Sequence, residues 1–434
     1  MKKTMILVAF AALISLASCQ KEEIIDNGPD NQTSPVFTAS IAGATKTTVN
    51  LTDGKVAWEE TDEITVTDAS SASALYEIES IDETTGKATF VIKDGETALG
   101  AGPYTATYGT EPATTQTYSA TAGKLYMTAT ATSSNSFTFE VQCGLMKLNL
   151  IKAGESVKSI AVTSSTNAIY TLTCDPAQSI ASAKDFCIAL PEGSYKKIEI
   201  MNASFAVATL NSTSGVAVAS NHIKPVTFGK EKLNFLPTRG TAEATIDGVK
   251  TFVNWVQLWS GGPKFAEYNI GATSATEYGG YYTWGGTYKN GNGITWNDDH
   301  NTTNMGSGNL SGTEDTATKI WGSNWRMPTD EECEALYENC TMEQIDGVNN
   351  TYLGTSAIGC LFSGNGVYVS NSVFLTTAGA CVSGSVIFPD ILGFYWSSTP
   401  ENQLKAIALA LNNMGPVGNS ERGLGCSVRA VLNE

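Results

Sequence analysis

The side chains best suited to touching a ligand stand together in Trp296-Asn297-Asp298-Asp299, followed by His300-Asn301. An indole offers a flat apolar face to a sugar ring, and the adjoining amide and carboxylates offer hydrogen bonds to hydroxyls. The same oxygens suit a hard cation by type, but no metal is assigned to them. Tyr281, Tyr282, Trp284, Tyr395 and Trp396 are further aromatics of a possible sugar surface. Covalent chemistry finds little support. There are only two histidines, His222 and His300, and no Gly-x-Ser-x-Gly, Walker loop or His-Glu-x-x-His. Eight cysteines follow Cys19 with no Cys-x-x-Cys among them, which argues against zinc or thioredoxin-like chemistry. The reading is of a non-enzymatic chain with no cofactor. A formal net charge of −17 lacks the basic footprint that nucleic acid requires.

Those residues need an address and a mount. Met1-Lys2-Lys3 is a positive start, Met5 to Leu16 an apolar run too short to span a bilayer, and Leu16-Ala17-Ser18-Cys19 its end. Small residues before a cysteine resemble the lipobox of bacterial lipoproteins. The resemblance implies a signal peptide over 1–18, cleavage before Cys19 and a lipid anchor on its sulfur. Attachment to the membrane would then be through acyl chains, at the outer membrane and facing the cell surface. Residues 19–35, with Gln20-Lys21-Glu22-Glu23 and Asp26 to Ser34, read as a solvated linker.

Composition shifts once. Residues up to about 236 are rich in Thr, Ser, Ala and Val, whereas seven of the eight tryptophans lie beyond them. Short β-rich runs separated by turn signals fill the first half: Val36 to Ile41, Ile64 to Val66, Lys87 to Ile92 and Phe137 to Val141, then Leu145 to Leu150, Ile160 to Val162, Cys187 to Leu190 and Ile198 to Ile200. Spacings of about ten residues predict two antiparallel β-sandwiches, 36–140 and 141–236. An ordered series carries a resemblance: Phe37-Thr38-Ala39, Lys46-Thr47, Gly54 to Trp58, Asp62 to Val66, Pro103 to Tyr108, Cys143 to Leu148 and Ile188 to Gly193. It resembles the fimbrillin (Mfa-like) family of Bacteroides-type bacteria. That implies partnership with other fimbrial subunits by β-strand donation, released in stalk subunits by an arginine-directed cut. No arginine precedes Arg239, which argues against a processed stalk role. Trp58 reads as a plug in the core.

After a turn-like stretch read as a linker, 237–249, residues 250–434 hold a second signature. Tyr268 to Thr273, Glu277 to Gly285, Ile320 to Thr329, Gly393 to Thr399 and Gly425 to Val431 resemble the major paralogous domain described in Fibrobacter proteins. The resemblance implies a C-type-lectin-like α+β fold, with Tyr282, Trp284 and Trp396 in its core. The acidic partner loop of calcium-dependent lectins is absent. Thr329-Asp330-Glu331-Glu332 predicts a capping box and a helix from Asp330 to Asn339; a shorter helix is predicted over Glu314 to Ile320, ended by Gly322. Cys333 and Cys340 would share one face of the longer helix, too far apart to bond. Arg326 and Arg429, in apolar runs, read as an internal ion pair or backbone clamp rather than as carboxylate readers.

The whole reads as a mainly β chain of two sandwiches and a C-type-lectin-like domain. As a surface lipoprotein adhesin, a fimbrial tip or accessory subunit, it would present the last domain to a glycan or to a host or bacterial surface protein. The competing readings are a structural pilus anchor or envelope protein, and a glycan-capture lipoprotein that works without a pilus.

Overall fold

The computed structural model describes residues 34–42, 58–119, 125–132, 134–228, 232–286, 308–347, 357–411 and 417–434. The chain is mainly β. Among the described residues no helix is long and apolar enough to cross a membrane.

The first unit comprises β1 (Phe37–Ile41), β2 (Glu63–Thr67), β3 (Ser73–Ile81), β4 (Ala88–Ile92), β5 (Tyr104–Tyr108), β6 (Thr115–Thr117), β7 (Met127–Ala131) and β8 (Ser136–Val141). Side chains alternate strictly along β2 and β8, so one face of each is buried. The first unit differs from an open two-sheet sandwich in one respect. Strand β1 pairs antiparallel with β4 and parallel with β8, so the ladder closes as a barrel, β1-β4-β3-β2-β5-β7-β8. Trp58 plugs it, 5% exposed and edge-on to Phe90, Tyr108 and Phe139 at centroid distances of 5.1, 5.5 and 5.4 Å.

Strand β6 leaves the barrel and joins the next unit. That unit contains β9 (Cys143–Leu150), β10 (Ser156–Ser164), β11 (Ile169–Ser179), β12 (Lys184–Pro191), β13 (Gly193–Asn202), β14 (Ala206–Val218), β15 (Ile223–Thr227) and β16 (Leu236–Pro237). A six-stranded sheet, β16-β14-β13-β10-β11-β6, faces a three-stranded one, β12-β9-β15. Leu148, Phe186 and Ile188 from the smaller sheet meet Ile160, Leu172 and Ile200 from the larger. Gln116 of β6 ties the two sheets, donating to the Ala189 carbonyl (2.7 Å) and accepting from its N–H (3.0 Å).

The stretch 237–249 is not a linker. β17 (Arg239–Ile246) pairs along its whole length with β18 (Val249–Gln257). Asp247 and Gly248, at φ 51° and 79°, form the two-residue turn that matches strand twist. Composition marks a boundary here, but the Asp-Gly turn and the apolar residues on either side of it make a hairpin. β19 (Lys264–Ala266), α1 (Thr316–Trp321), β20 (Trp325–Arg326), α2 (Asp330–Asn339), β21 (Cys340–Asp346), β22 (Ile358–Gly364), β23 (Ser372–Thr376), β24 (Ala380–Val382), β25 (Ser385–Ile387), β26 (Gly393–Pro400), β27 (Lys405–Leu411), β28 (Val417–Glu421) and β29 (Val431–Leu432) follow. They form the sheets β17-β18-β19-β29-β20, β21-β22-β23, β24-β25 and β26-β27-β28.

The second and third units share a packed junction. Val367 and Tyr368, in a 3₁₀ turn, bury against Ala161, Met201 and Val207. Asn371, fully buried, donates to Thr238 Oγ1 (3.0 Å) and the Gln257 carbonyl (2.8 Å). Near Tyr368 lies Glu199, 5% exposed. Its Oε1 has no hydrogen-bond partner among the described residues, while Oε2 stands 3.1 Å from Lys197 Nζ. Burial pushes this carboxyl above its ordinary range, and Lys197 pulls it back only in part. Between the unfolded pKa and the higher folded one, the folded chain keeps a proton that the unfolded chain has lost. Stability is therefore greatest below the unfolded value and falls as pH rises through that window. Thermal unfolding from about pH 4 to pH 8 should show the wild type losing stability relative to Glu199→Gln as pH rises. Parallel curves would refute this.

Candidate functional site

Cys19 and the set Trp296, Asn297, Asp298 and Asp299 lie outside the described residues. The other aromatics of the possible sugar surface are core. Tyr281, Tyr282, Trp284, Tyr395 and Trp396 are each 5% exposed or less. Their polar atoms are also spoken for. Trp284 Nε1 donates to the Ser397 carbonyl (2.9 Å), Trp396 Nε1 to the Tyr282 carbonyl (2.8 Å) and Tyr395 Oη to the Thr376 carbonyl (2.8 Å). They hold the third unit together and face no solvent. Among the described residues no His/Cys/Asp/Glu group has the geometry of a metal site.

The two arginines act within the fold. Arg326 grips Glu332 with both ends of its fork, Nη1 to Oε2 at 2.7 Å and Nη2 to Oε1 at 2.6 Å. Glu332 also closes the capping box, since Thr329 Oγ1 accepts its N–H (3.2 Å) and its Oε2 accepts the Thr329 N–H (2.9 Å). Asp315 caps α1 through Thr318 and reaches the Met327 N–H at 2.8 Å. Burial pushes its carboxyl up despite those bonds. Arg429, 2% exposed, donates to Asn269 Oδ1 (2.9 Å) and to the carbonyls of Ala266 (3.2 Å), Glu267 (3.1 Å) and Phe374 (2.9 Å). Arg429 is buried, and the Arg326 fork is taken up by Glu332. Cys333, Cys340 and Cys360 are buried free thiols of one apolar cluster around α2.

The short strand β1 closes the barrel from both of its edges. This strand has five residues, and both of its edges are used. Phe37, Thr38 and Ala39 lie opposite Phe90, Thr89 and Ala88 of β4. Thr38 to Ile41 lie beside Ser136 to Phe139 of β8 in parallel. Phe37, fully buried, meets Tyr76, Tyr104 and Phe137 at centroid distances of 4.9–5.0 Å. Without β1, both β4 and β8 would be open edges flanking an apolar slot. The sequence gives one local sign of this seat, the alternation of Phe37, Ala39 and Ile41. It gives none of the parallel partner, which lies almost a hundred residues away.

No protein-family model matches the chain, and no curated protein matches it in sequence. Several solved structures are similar to parts of it. One is a fimbrial protein of Bacteroides ovatus, 11% identical, with 93% of this chain and 99% of that chain covered and a TM-score of 0.25. Another is a proposed cell adhesion protein of the same species, 14% identical, covering 46% and 94%, TM-score 0.31. A third is the C-terminally truncated tip fimbrial protein Mfa3 of Porphyromonas gingivalis, 9% identical, covering 52% and 100%, TM-score 0.21.

Proposed function

We propose that the chain is a non-enzymatic cell-surface lipoprotein of fimbrial type, a tip or accessory subunit. Its first two units form the mount, and its third unit faces a glycan or protein partner. The observation that carries the reading is the β1 seat. A five-residue strand bonded on both edges is the kind of element that another subunit's extended segment replaces in strand addition. The lipobox at Cys19 and the fimbrillin-like order of motifs agree with it. Two short helices set against a loop-rich sheet support a C-type-lectin-like third unit.

Shearing of intact cells tests the assembly part. The protein should appear in the sheared filament fraction, in an assembly that resists unboiled electrophoresis and is released by boiling. Recovery only as a membrane-bound monomer would sink the subunit reading and leave a stand-alone surface binder or an anchor.

A further inference from the structure

The third unit has a cleft of about 530 Å³ between the β17–β18 hairpin and the β22–β23 pair. That volume suits a small ligand. Its rim and walls carry Arg239, Thr241, Asn254, Glu267 and Ser370. Thr241 and Asn254 are cross-strand partners. Glu267 is fixed against Asn254 twice, since its Oε2 accepts from Asn254 Nδ2 (2.7 Å) and its N–H donates to the Asn254 carbonyl (2.9 Å).

Two buried clamps hold the walls. Arg429 joins the carbonyl of Glu267 on one wall to that of Phe374 on the other. At the opposite end Asn371 joins Thr238 and Gln257 to the turn before β23, and Arg239 Nε donates to its Oδ1 (2.7 Å). Such support holds a recognition site in shape before a ligand arrives.

The available valences identify the ligand chemistry. Arg239 is occupied by Asn371, by the Ser370 carbonyl and by the Phe205 ring, 4.2 Å below its guanidinium. Among the described residues, Glu267 Oε1, Asn254 Oδ1 and the hydroxyls of Thr241 and Ser370 take no hydrogen bond. The free groups are therefore acceptors and hydroxyls, which seek hydroxyl donors. Phe252 shares the strand face of Asn254 and is 69% exposed, an apolar ring placed to stack on a pyranose. A free carboxylate oxygen and a chain charge of −17 disfavour anionic ligands.

We infer that this cleft binds a neutral saccharide, with Asn254 and Glu267 reading hydroxyls and Phe252 stacking on the ring. The inference rests on the presenting role proposed above but not on filament assembly. The test uses the full chain on immobilised oligosaccharides ending in glucose, galactose, mannose or N-acetylglucosamine, with sialylated and sulfated counterparts. Neutral sugars should bind, and Asn254→Ala with Glu267→Ala should weaken binding at least tenfold with an unchanged melting temperature. Phe252→Ala should weaken it as well, whereas Leu404→Ala, at an exposed position outside the cleft lining, should leave it within twofold. Failure to bind any neutral sugar, or preference for the anionic ones, would overturn the inference. Loss on Trp296→Ala with retention in the Asn254/Glu267 variant would also overturn it while leaving the presenting role intact.

Discussion

Deleting residues 34–42 should open the barrel, and a peptide of that sequence supplied in trans should close it again. The deletion removes the fully buried Phe37 ring with its three aromatic neighbours. Truncating a buried phenylalanine alone costs about 3–5 kcal/mol. It also removes both ladders that β1 makes, leaving β4 and β8 as facing edges. Exposed edges beside an apolar slot pair with whatever strand is near. The deleted chain should therefore oligomerise or aggregate at concentrations where the wild type stays monomeric. The peptide should restore the monomer and raise the melting temperature. A Phe37→Ala peptide should do so far less well, because the ring fills the slot while the backbone supplies only the ladders. Light scattering with and without peptide decides the matter. A deleted chain that is monomeric and as stable as the wild type would show that β1 closes nothing of consequence, and the assembly reading would lose its main support.

Replacement of Arg429 should be the most damaging single change in the third unit. Its buried fork satisfies one side-chain oxygen and three backbone carbonyls. Burial pulls its pKa down to about 10, with Tyr395 and Glu267 pulling the other way. It therefore remains a cation at neutral pH, held by neutral dipoles instead of a carboxylate. Arg429→Met keeps the bulk, spares the desolvation of a charge and strands the acceptors. The expected loss is on the order of 4 kcal/mol, or roughly 10 °C for a unit of this size. Arg429→Lys should recover little of that loss, because an ammonium cannot span carbonyls on two walls. A lysine variant as stable as the wild type would show that charge, and not the planar fork, is what the site requires. Since Arg429 ties Glu267 to Phe374, the same variant should also weaken saccharide binding in the cleft.

Much of the local structure is legible without the fold. The helix over Asp330–Asn339 and its capping box follow from Thr329 and Glu332, three residues apart. Gly322 ends α1 as its position implies, with a φ of 95° that other residues avoid. The strand runs follow from alternation and turn residues, and the arginine roles from the apolar stretches around them. The stretch 237–249, expected as a linker, belongs to a hairpin for a definite physical reason. Composition changes there, but the Asp247-Gly248 turn chemistry specifies a hairpin across it.

The sequence by itself determined many of the elements: strand runs such as Phe37–Ile41, the capped helix over Asp330–Asn339, and the core place of Trp58. These follow from interactions spanning a few residues, such as caps, turns and side-chain periodicity. Tertiary structure alone decided which strands meet. β1 lies beside β8 in parallel, β6 leaves the barrel for the neighbouring sheet, and Arg429 reaches Asn269 across 160 residues. The choice among such partners depends on loop closure and on burial summed over the whole core, and neither leaves a local mark. The cleft arises in the same way, since its two walls come from a hairpin and a strand pair about a hundred residues apart. No spacing along the chain places Asn254 and Glu267 opposite β23; the packing of two sheets does.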